Sequence, residues 1–358
     1  MSRVRARGEE IRCFILQHVD KHAADISKVA AEHFGVSRQA INKHLQRLAH
    51  EGAINETGKT RNRSYALAPL VQWTNVYPIS PELEEHVVWR NDVSPVLGDQ
   101  PDNVKDIWQY GFTEIFNNAK DHSNGSSIMV TIRRTAIDTE MAIIDDGVGI
   151  FRKIQTRLNL LDERHAVFEL AKGKLTTDPD RHTGEGVFFT SRMFDSFDIL
   201  SAGVYFSHEF GKNWDWVSER TDPEKARTAV WLKLNNHTAR TTTKVFDQFS
   251  TGDSYGFTRT IVPVKLAQYG NDKLISRSQA RRVVARVDLF KVVVFNFTSV
   301  PTIGQAFADE IFRVFAQEHP QIEIYISHAN SEIKRMVERA KAGQAATAIE
   351  EPIPALSV

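Results

Sequence analysis

Three stretches near the start of the chain carry an apolar residue at every third or fourth position, the period of an amphipathic helix. Glu10–Val19 aligns Ile11, Phe14, Ile15 and Val19 on one face. A shorter segment through Val29, Ala30 and Phe34 follows, with Asp25 and Ser27 as candidate caps. Arg38–His50 then turns Ile41, Leu45 and Leu48 inward, with Ser37 as its cap. Gly35 supplies the tight turn before it and Gly52 ends it. After Gly52 the period changes. Ala53–Asn55 and Ser64–Leu67 read as the two strands of a hairpin, and further on Met141–Ile144, Thr260–Leu266, Lys291–Phe297 and Gln321–Ile326 read as strands. Lys291–Phe297 is apolar almost without a break, as in a strand buried on both faces. Ser276–Val287, Ala306–Gln317 and Ser331–Ala340 read as helices, so the last block has a βαβαβα order.

The length of 358 residues allows two or three domains, each with its own core. Basic and acidic side chains balance at 45 each, yet residues 1–70 hold twelve Lys/Arg against seven Asp/Glu. That local excess of five positive charges suits a domain facing nucleic acid. Cys13 is the single cysteine, which excludes an intrachain disulfide and a cysteine-cluster metal site. Arg3, Arg5 and Arg7 lead into Gly8-Glu9-Glu10 rather than an apolar run, and no stretch approaches the ~20 apolar residues of a membrane span. The expectation is a cytoplasmic protein with no membrane partner.

On the third early helix, Arg38, Gln39, Asn42, Lys43 and Gln46 point away from the apolar face. These types read base edges or grip phosphates. The hairpin loop adds Lys59, Arg61 and Arg63 as a basic tip. Phe34–Gly52 resembles the winged helix-turn-helix of bacterial regulators, which implies DNA as a partner; a winged helix used for protein contacts is the alternative.

Two further motifs lie in the middle of the chain. Phe112–Ser123 sets Glu114, Asn118, Asp121 and His122 at i, i+4, i+7 and i+8, along one helical face. Met141–Ile150 is an apolar run delivering Asp145 into a turn with Gly147 and Gly149. Thr183-Gly184-Glu185-Gly186-Val187 is a third, glycine-rich piece leading into a helix, whose amides favour anions. In this order the motifs, spread over Val104–Leu234, resemble a GHKL (Bergerat) ATP-binding domain. The resemblance implies ATP and Mg²⁺ as cofactors. It places Asn118 on Mg²⁺, Asp145 on the adenine amino group and Glu114 beside the γ-phosphate. Asp121, His122, Gly147, Gly149, Thr183, Gly184, Gly186, Val187 and Thr228 complete the nucleotide site. Phe151–Arg181 would be the lid, in which Lys172, Lys174 and Arg181 either reach the phosphates or are solvated. His182 stands where many relatives have glycine.

Glu114 replaces the asparagine common in histidine kinases, and no helical hairpin bears a phosphorylated histidine, so autophosphorylation on histidine is not expected. The spacing of Glu114, Asn118, Ala119 and His122 is closer to the anti-sigma-factor serine kinases, whereas Asp121 points to the ATPase branches. Phe295–Glu310 resembles a STAS-like domain of unknown function. Its loop lacks the usual phosphorylated serine, leaving Thr298, Ser299 and Thr302 as weaker acceptors.

The expected fold is therefore multidomain. An α+β winged helix (1–72) precedes an α/β two-layer GHKL sandwich (80–240), a small α/β STAS-like domain (255–341) and a flexible tail (342–358). The expected function is to couple ATP binding or slow hydrolysis to DNA binding. The alternatives are a serine/threonine kinase acting on a STAS-like partner or domain, and an interaction scaffold. A protein partner through the STAS-like domain and a homodimer are both expected.

Overall fold

The computed structural model describes residues 3–59, 62–175, 184–219, 227–252, 256–269 and 272–342, with side chains from residue 7. Three helices open it: α1 (Arg3–His18), α2 (Ile26–Phe34) and α3 (Arg38–His50). A hairpin of β1 (Ile54–Thr57) and β2 (Ser64–Leu67) follows, with Ile54 opposite Leu67. The apolar stripes meet in a small core of Ile11, Ile15, Ile26, Ile41, Leu45 and Leu48, closed by Ile54, Tyr65 and Leu67. The Ser37 hydroxyl accepts from the Ala40 amide at 3.2 Å and starts α3, while Gly35 adopts φ +62° to end α2. Asp25 precedes α2 without capping it through its side chain, which instead lies 3.1 Å from His22 Nδ1.

The largest element is a seven-stranded antiparallel sheet. Its strands are β3 (Val71–Pro78), β4 (Ser127–Arg134), β5 (Asp138–Asp145), β6 (Ser196–Ser201), β7 (Val204–Glu209), β8 (Asp215–Glu219) and β9 (Thr228–Asn235). Their spatial order is β3-β4-β5-β9-β6-β7-β8, so the last strand in sequence lies at the centre. Residues 73–79, which the sequence assigns to neither neighbouring block, thus supply most of an edge strand. Short helices α4 (Glu85–Val88) and α5 (Ser94–Leu97) lead into α6 (Asp102–His122). On one face of the sheet pack α6, α7 (Ile150–Leu158), α8 (Glu163–Lys172) and α9 (Gly186–Met193). Val104, Trp108, Phe112, Ile115, Phe116 and Ala119 form the buried stripe of α6. The opposite face stays partly open, with Trp216 54% and Trp231 39% exposed.

After α10 (Thr242–Asp247) comes a three-stranded parallel sheet, β10 (Arg259–Pro263), β11 (Val292–Asn296) and β12 (Glu323–Ser327), with β11 central and wholly buried. Pro263 has no N–H to continue the ladder, and the chain passes into a 3₁₀ turn where the apolar pattern alone predicts three more strand residues. The helices are α11 (Arg277–Val284), α12 (Gln305–Asp309), α13 (Ala316–Glu318) and α14 (Ser331–Lys341), with a π-helical stretch Glu310–Phe315 joining α12 to α13. Arg286 at φ +63° marks the end of the α11 region. Phe188, Phe189, Phe246, Phe249, Phe257 and Phe290 stack between the two sheets, so the middle and C-terminal regions share one core. Among the described residues no helix is long and apolar enough to cross a membrane. The tail beyond residue 342 lies outside the described residues.

Candidate functional site

The helices over the large sheet leave a cavity of about 320 Å³ between α6, strands β5, β6 and β9, and helices α7, α8 and α9. Glu114, Asn118 and His122, spaced four apart on α6, give it one polar wall. Asp145 ends β5 opposite Thr228, the first residue of β9, and the two lie at its base with Ile143, Ile199 and Val230. Ile150, Lys153 and Ile154 enter from α7, Leu170 and Leu175 from α8 and its exit, and Gly184, Gly186 and Val187 from the start of α9. Folding thus gathers Glu114, Asn118, His122, Asp145, Gly184, Gly186 and Val187 from three separated motifs, with Thr228 from a fourth segment, into one space.

Asp145 and Thr228 are buried polar groups among the apolar residues at its base. Asp145 is 6% exposed, and its Oδ1 accepts from the Gly147 amide at 2.9 Å. Burial pushes the Asp145 carboxyl above its ordinary value, and hydrogen bonds from Gly147 and Thr228 pull it part of the way back. Its neighbour Asp146 has a different task. Ser126 and Ser127 hold its carboxylate with hydroxyls and amides at 2.5–3.1 Å, which keeps it well below the carboxylate range.

At the C-terminal end of α6, where the Val148 amide donates to the Ser123 carbonyl beside the Asp145 turn, Lys153 Nζ donates to the His122 carbonyl at 2.6 Å, and burial lowers its pKa. Glu114 lies two turns back along the helix. A Cβ at Gly186 would collide with the Glu114 carboxylate, so glycine lets the first turn of α9 lie against it. Burial raises Tyr110, one turn before Glu114, and the charges of Glu114 and Glu185 add to that; Glu185 is itself raised by burial against the pull of Lys174. Negative charge therefore accumulates where α6 meets α9. A Glu carboxylate and an Asn amide oxygen are hard donors suited to Mg²⁺. Among the described residues no cluster of three His, Cys, Asp or Glu side chains could hold a metal alone. A cation bound here would draw further oxygens from water or from a phosphorylated ligand, and the donor set fits that arrangement.

Several expected residues stand elsewhere. Asp121 is exposed, with its carboxylate 3.9 Å from Lys120 Nζ, and does not line the cavity. The cavity extends round α6 from Glu114 through Asn118 and His122 to Ile115 and Ala119, and at about 100° per residue Asp121 falls just beyond the opposite margin. Gly147 and Gly149 do not line it either. A Cβ on Gly147 would strike the Ser123 carbonyl, and one on Gly149, at φ +91°, would lie 2.7 Å from Ser201 Oγ. Both glycines serve close packing within the protein. Thr183, Arg181 and His182 lie outside the described residues.

Neither Lys172 nor Lys174 lines the cavity; Lys172 is buried and Lys174 half-buried. Lys172, whose side chain is 2% exposed, donates from Nζ to Glu169 Oε1 at 2.7 Å, to the Arg282 carbonyl at 2.8 Å and to the Ala285 carbonyl at 3.0 Å. Burial lowers its pKa to about 8 against the pull of Glu169. Lys174 Nζ donates to the Leu289 carbonyl at 2.8 Å, and Thr260 Oγ1 donates to the Lys172 carbonyl at 2.6 Å. The segment walling the cavity is thereby pinned to the C-terminal region.

Lys153 is the charged lining residue that sequence reading missed, beside apolar ones such as Ile143, Ile150 and Ile199. Its signal was its place in the first turn after Gly149, flanked by Ile150 and Ile154. At the N-terminal helices Arg38, Gln39, Asn42, Lys43 and Lys59 are exposed, whereas Arg63 Nε lies 3.0 Å from Glu56 Oε1. Arg61 lies outside the described residues.

No curated protein matches the chain. Residues 279–334, which run from α11 through β11 and β12 into α14, match the family described as a STAS-like domain of unknown function. The small parallel sheet and its helices therefore carry a STAS-like domain at the C-terminal end of the described fold.

Proposed function

We propose that this chain is an ATP-binding regulator. In this reading a winged helix (residues 1–72) meets DNA, a GHKL domain (80–240) binds ATP with Mg²⁺, and the C-terminal region (255–341) responds to the state of the nucleotide site. The observation that carries the reading is the convergence of Glu114, Asn118 and His122 with Asp145 and Thr228 in one cavity whose remaining walls are largely apolar. Asp145 accepts from the adenine amino group, the Asn118 oxygen joins the cation's shell, and Glu114 orients a water or hydroxyl. The amides at the start of α9 favour the phosphates. Bound ATP supplies a transferable γ-phosphoryl group.

Regulation follows from where the lid is fastened. Leu170 and Leu175 line the cavity, and Lys172 between them holds carbonyls of the α11 region. Nucleotide shifts the C-terminal region only if it binds two arrangements of that junction with different affinity. The coupling reaches the DNA-binding helices through the sheet, whose Arg134 carbonyl accepts from the Leu70 amide at 2.7 Å.

A serine/threonine kinase is the second reading, favoured by the spacing of Glu114, Asn118 and His122. Its acceptor would be a STAS-like partner or the chain's own STAS-like domain.

Calorimetry with Mg²⁺-ATP tests the reading, comparing the native chain with Asp145→Asn. Saturable binding that weakens at least tenfold in the variant is expected; no binding by the native chain would sink the proposal. Labelled ATP then separates the two readings, since stable label on protein means kinase and free phosphate means ATPase.

A further inference from the structure

The open face of the large sheet carries a second recess, remote from the nucleotide cavity. It measures about 230 Å³ and is lined by Tyr205, Ser207, Glu209, Trp214 and Trp216. Alternation along β7 puts Tyr205, Ser207 and Glu209 on one side, and Ser207 pairs with Trp216 across the ladder. Trp214, two residues before Trp216, joins the same side. The two indoles stand at 68° with ring centroids 6.2 Å apart, making a corner rather than a stack. Both are costly to leave in water, at 39% and 54% exposure. Tyr205 is fixed as a third wall because its hydroxyl donates to Asp198 Oδ1 at 2.6 Å.

Charge distinguishes this recess from an ordinary apolar patch. Glu209 places a carboxylate in the lining, Asp198 lies behind Tyr205, and among the described residues the lining holds no basic side chain. Aromatic faces and a carboxylate attract the same kind of partner, a cation that is weakly hydrated. The corner selects further. A tetrahedral methylated ammonium touches two ring faces at once, whereas a flat guanidinium stacks on only one.

We propose that Tyr205, Trp214, Trp216 and Glu209 form a cage for a small quaternary-ammonium ligand, a binding site independent of the nucleotide cavity. Fluorine NMR of the full chain labelled with 5-fluorotryptophan tests it, resolving the six tryptophans. Choline is the probe. Its neutral carbon isostere, 3,3-dimethylbutan-1-ol, and methylguanidinium are the comparisons. Choline is expected to shift the Trp214 and Trp216 signals saturably, with the isostere and methylguanidinium each at least tenfold weaker. Trp216→Ala should abolish the effect on Trp214, and the conservative Glu209→Gln, an exposed change that leaves the fold intact, should weaken choline several-fold. Equal binding of the neutral isostere would reduce the recess to an apolar patch. Tighter binding of methylguanidinium, or no choline shift at these two tryptophans, would equally overturn the proposal.

Discussion

Asp145 behaves as two different acids, depending on whether folding or binding is measured. Burial favours its protonated form in the folded chain, so the folded pKa exceeds the unfolded one. The stability it contributes is full below the unfolded value and lost as pH rises through the folded one. Under the proposed function ATP affinity runs the opposite way, because an amino donor needs the carboxylate. Affinity is expected to fall on acidification with a midpoint above the ordinary carboxylate value, and Asp145→Asn should flatten the profile. Calorimetry across a pH series checks this, and a pH-independent affinity for the native chain would contradict it. Asp145 was legible from sequence because a strand ending in an Asp-Gly turn is a local signal. That Asp121 falls outside the lining was not legible, because a helical row is continuous and only packing decides where a cavity's margin falls.

Helix α8 is where elements of distant sequence are joined. Its Lys172 bonds carbonyls 110 and 113 residues further along the chain. No periodicity of residues 163–175 could reveal that, since a lysine in an amphipathic pattern ordinarily belongs to the solvated face. The burial comes from elements made much later. Replacing Lys172 with methionine should destabilise the chain by about 3–5 kcal/mol, because the buried Glu169 carboxylate loses its nearest cation. Arg286 Nε, 3.7 Å from that carboxylate, and His165 Nε2, 3.5 Å from it, are the basic groups left beside it. Urea unfolding measures the loss, and adding Glu169→Gln should recover part of it. Hydrogen exchange of α11 should also slow when Mg²⁺-ATP fills the cavity of the native chain, and respond less in the double variant. An α11 indifferent to nucleotide would break the proposed coupling.

At the scale of the whole molecule, the N-terminal region and the STAS-like domain attach to different parts of the large sheet. The N-terminal region meets its β3–β4 edge through Leu67 of the hairpin and Leu70 of the linker, and the STAS-like domain meets its helical layer and the β7–β8 end. Under the proposed function, Lys43→Ala should weaken binding to every duplex alike and lower the salt slope by about one, the signature of a lost phosphate contact. Asn42→Ala should instead cost about 1–3 kcal/mol on a preferred site and relax its sequence preference. Titrations at several salt concentrations distinguish the two, and unchanged binding in both would remove this helix from any DNA interface. The helix–hairpin order was readable because its stripes and turns are local, whereas the joining of the sheets through six phenylalanines was not.

The central place of β9 also sets a timetable. Until Thr228–Asn235 leave the ribosome, β3-β4-β5 and β6-β7-β8 are two separate three-stranded sheets, each with an unpaired inner edge. The strand that fuses them also delivers Thr228 to the cavity. Competence to bind a ligand therefore arrives in the same step as closure of the sheet, and the edge of β5, made by Asp145, waits for β9 far longer than the edge of β6, whose sheet is complete at Glu219.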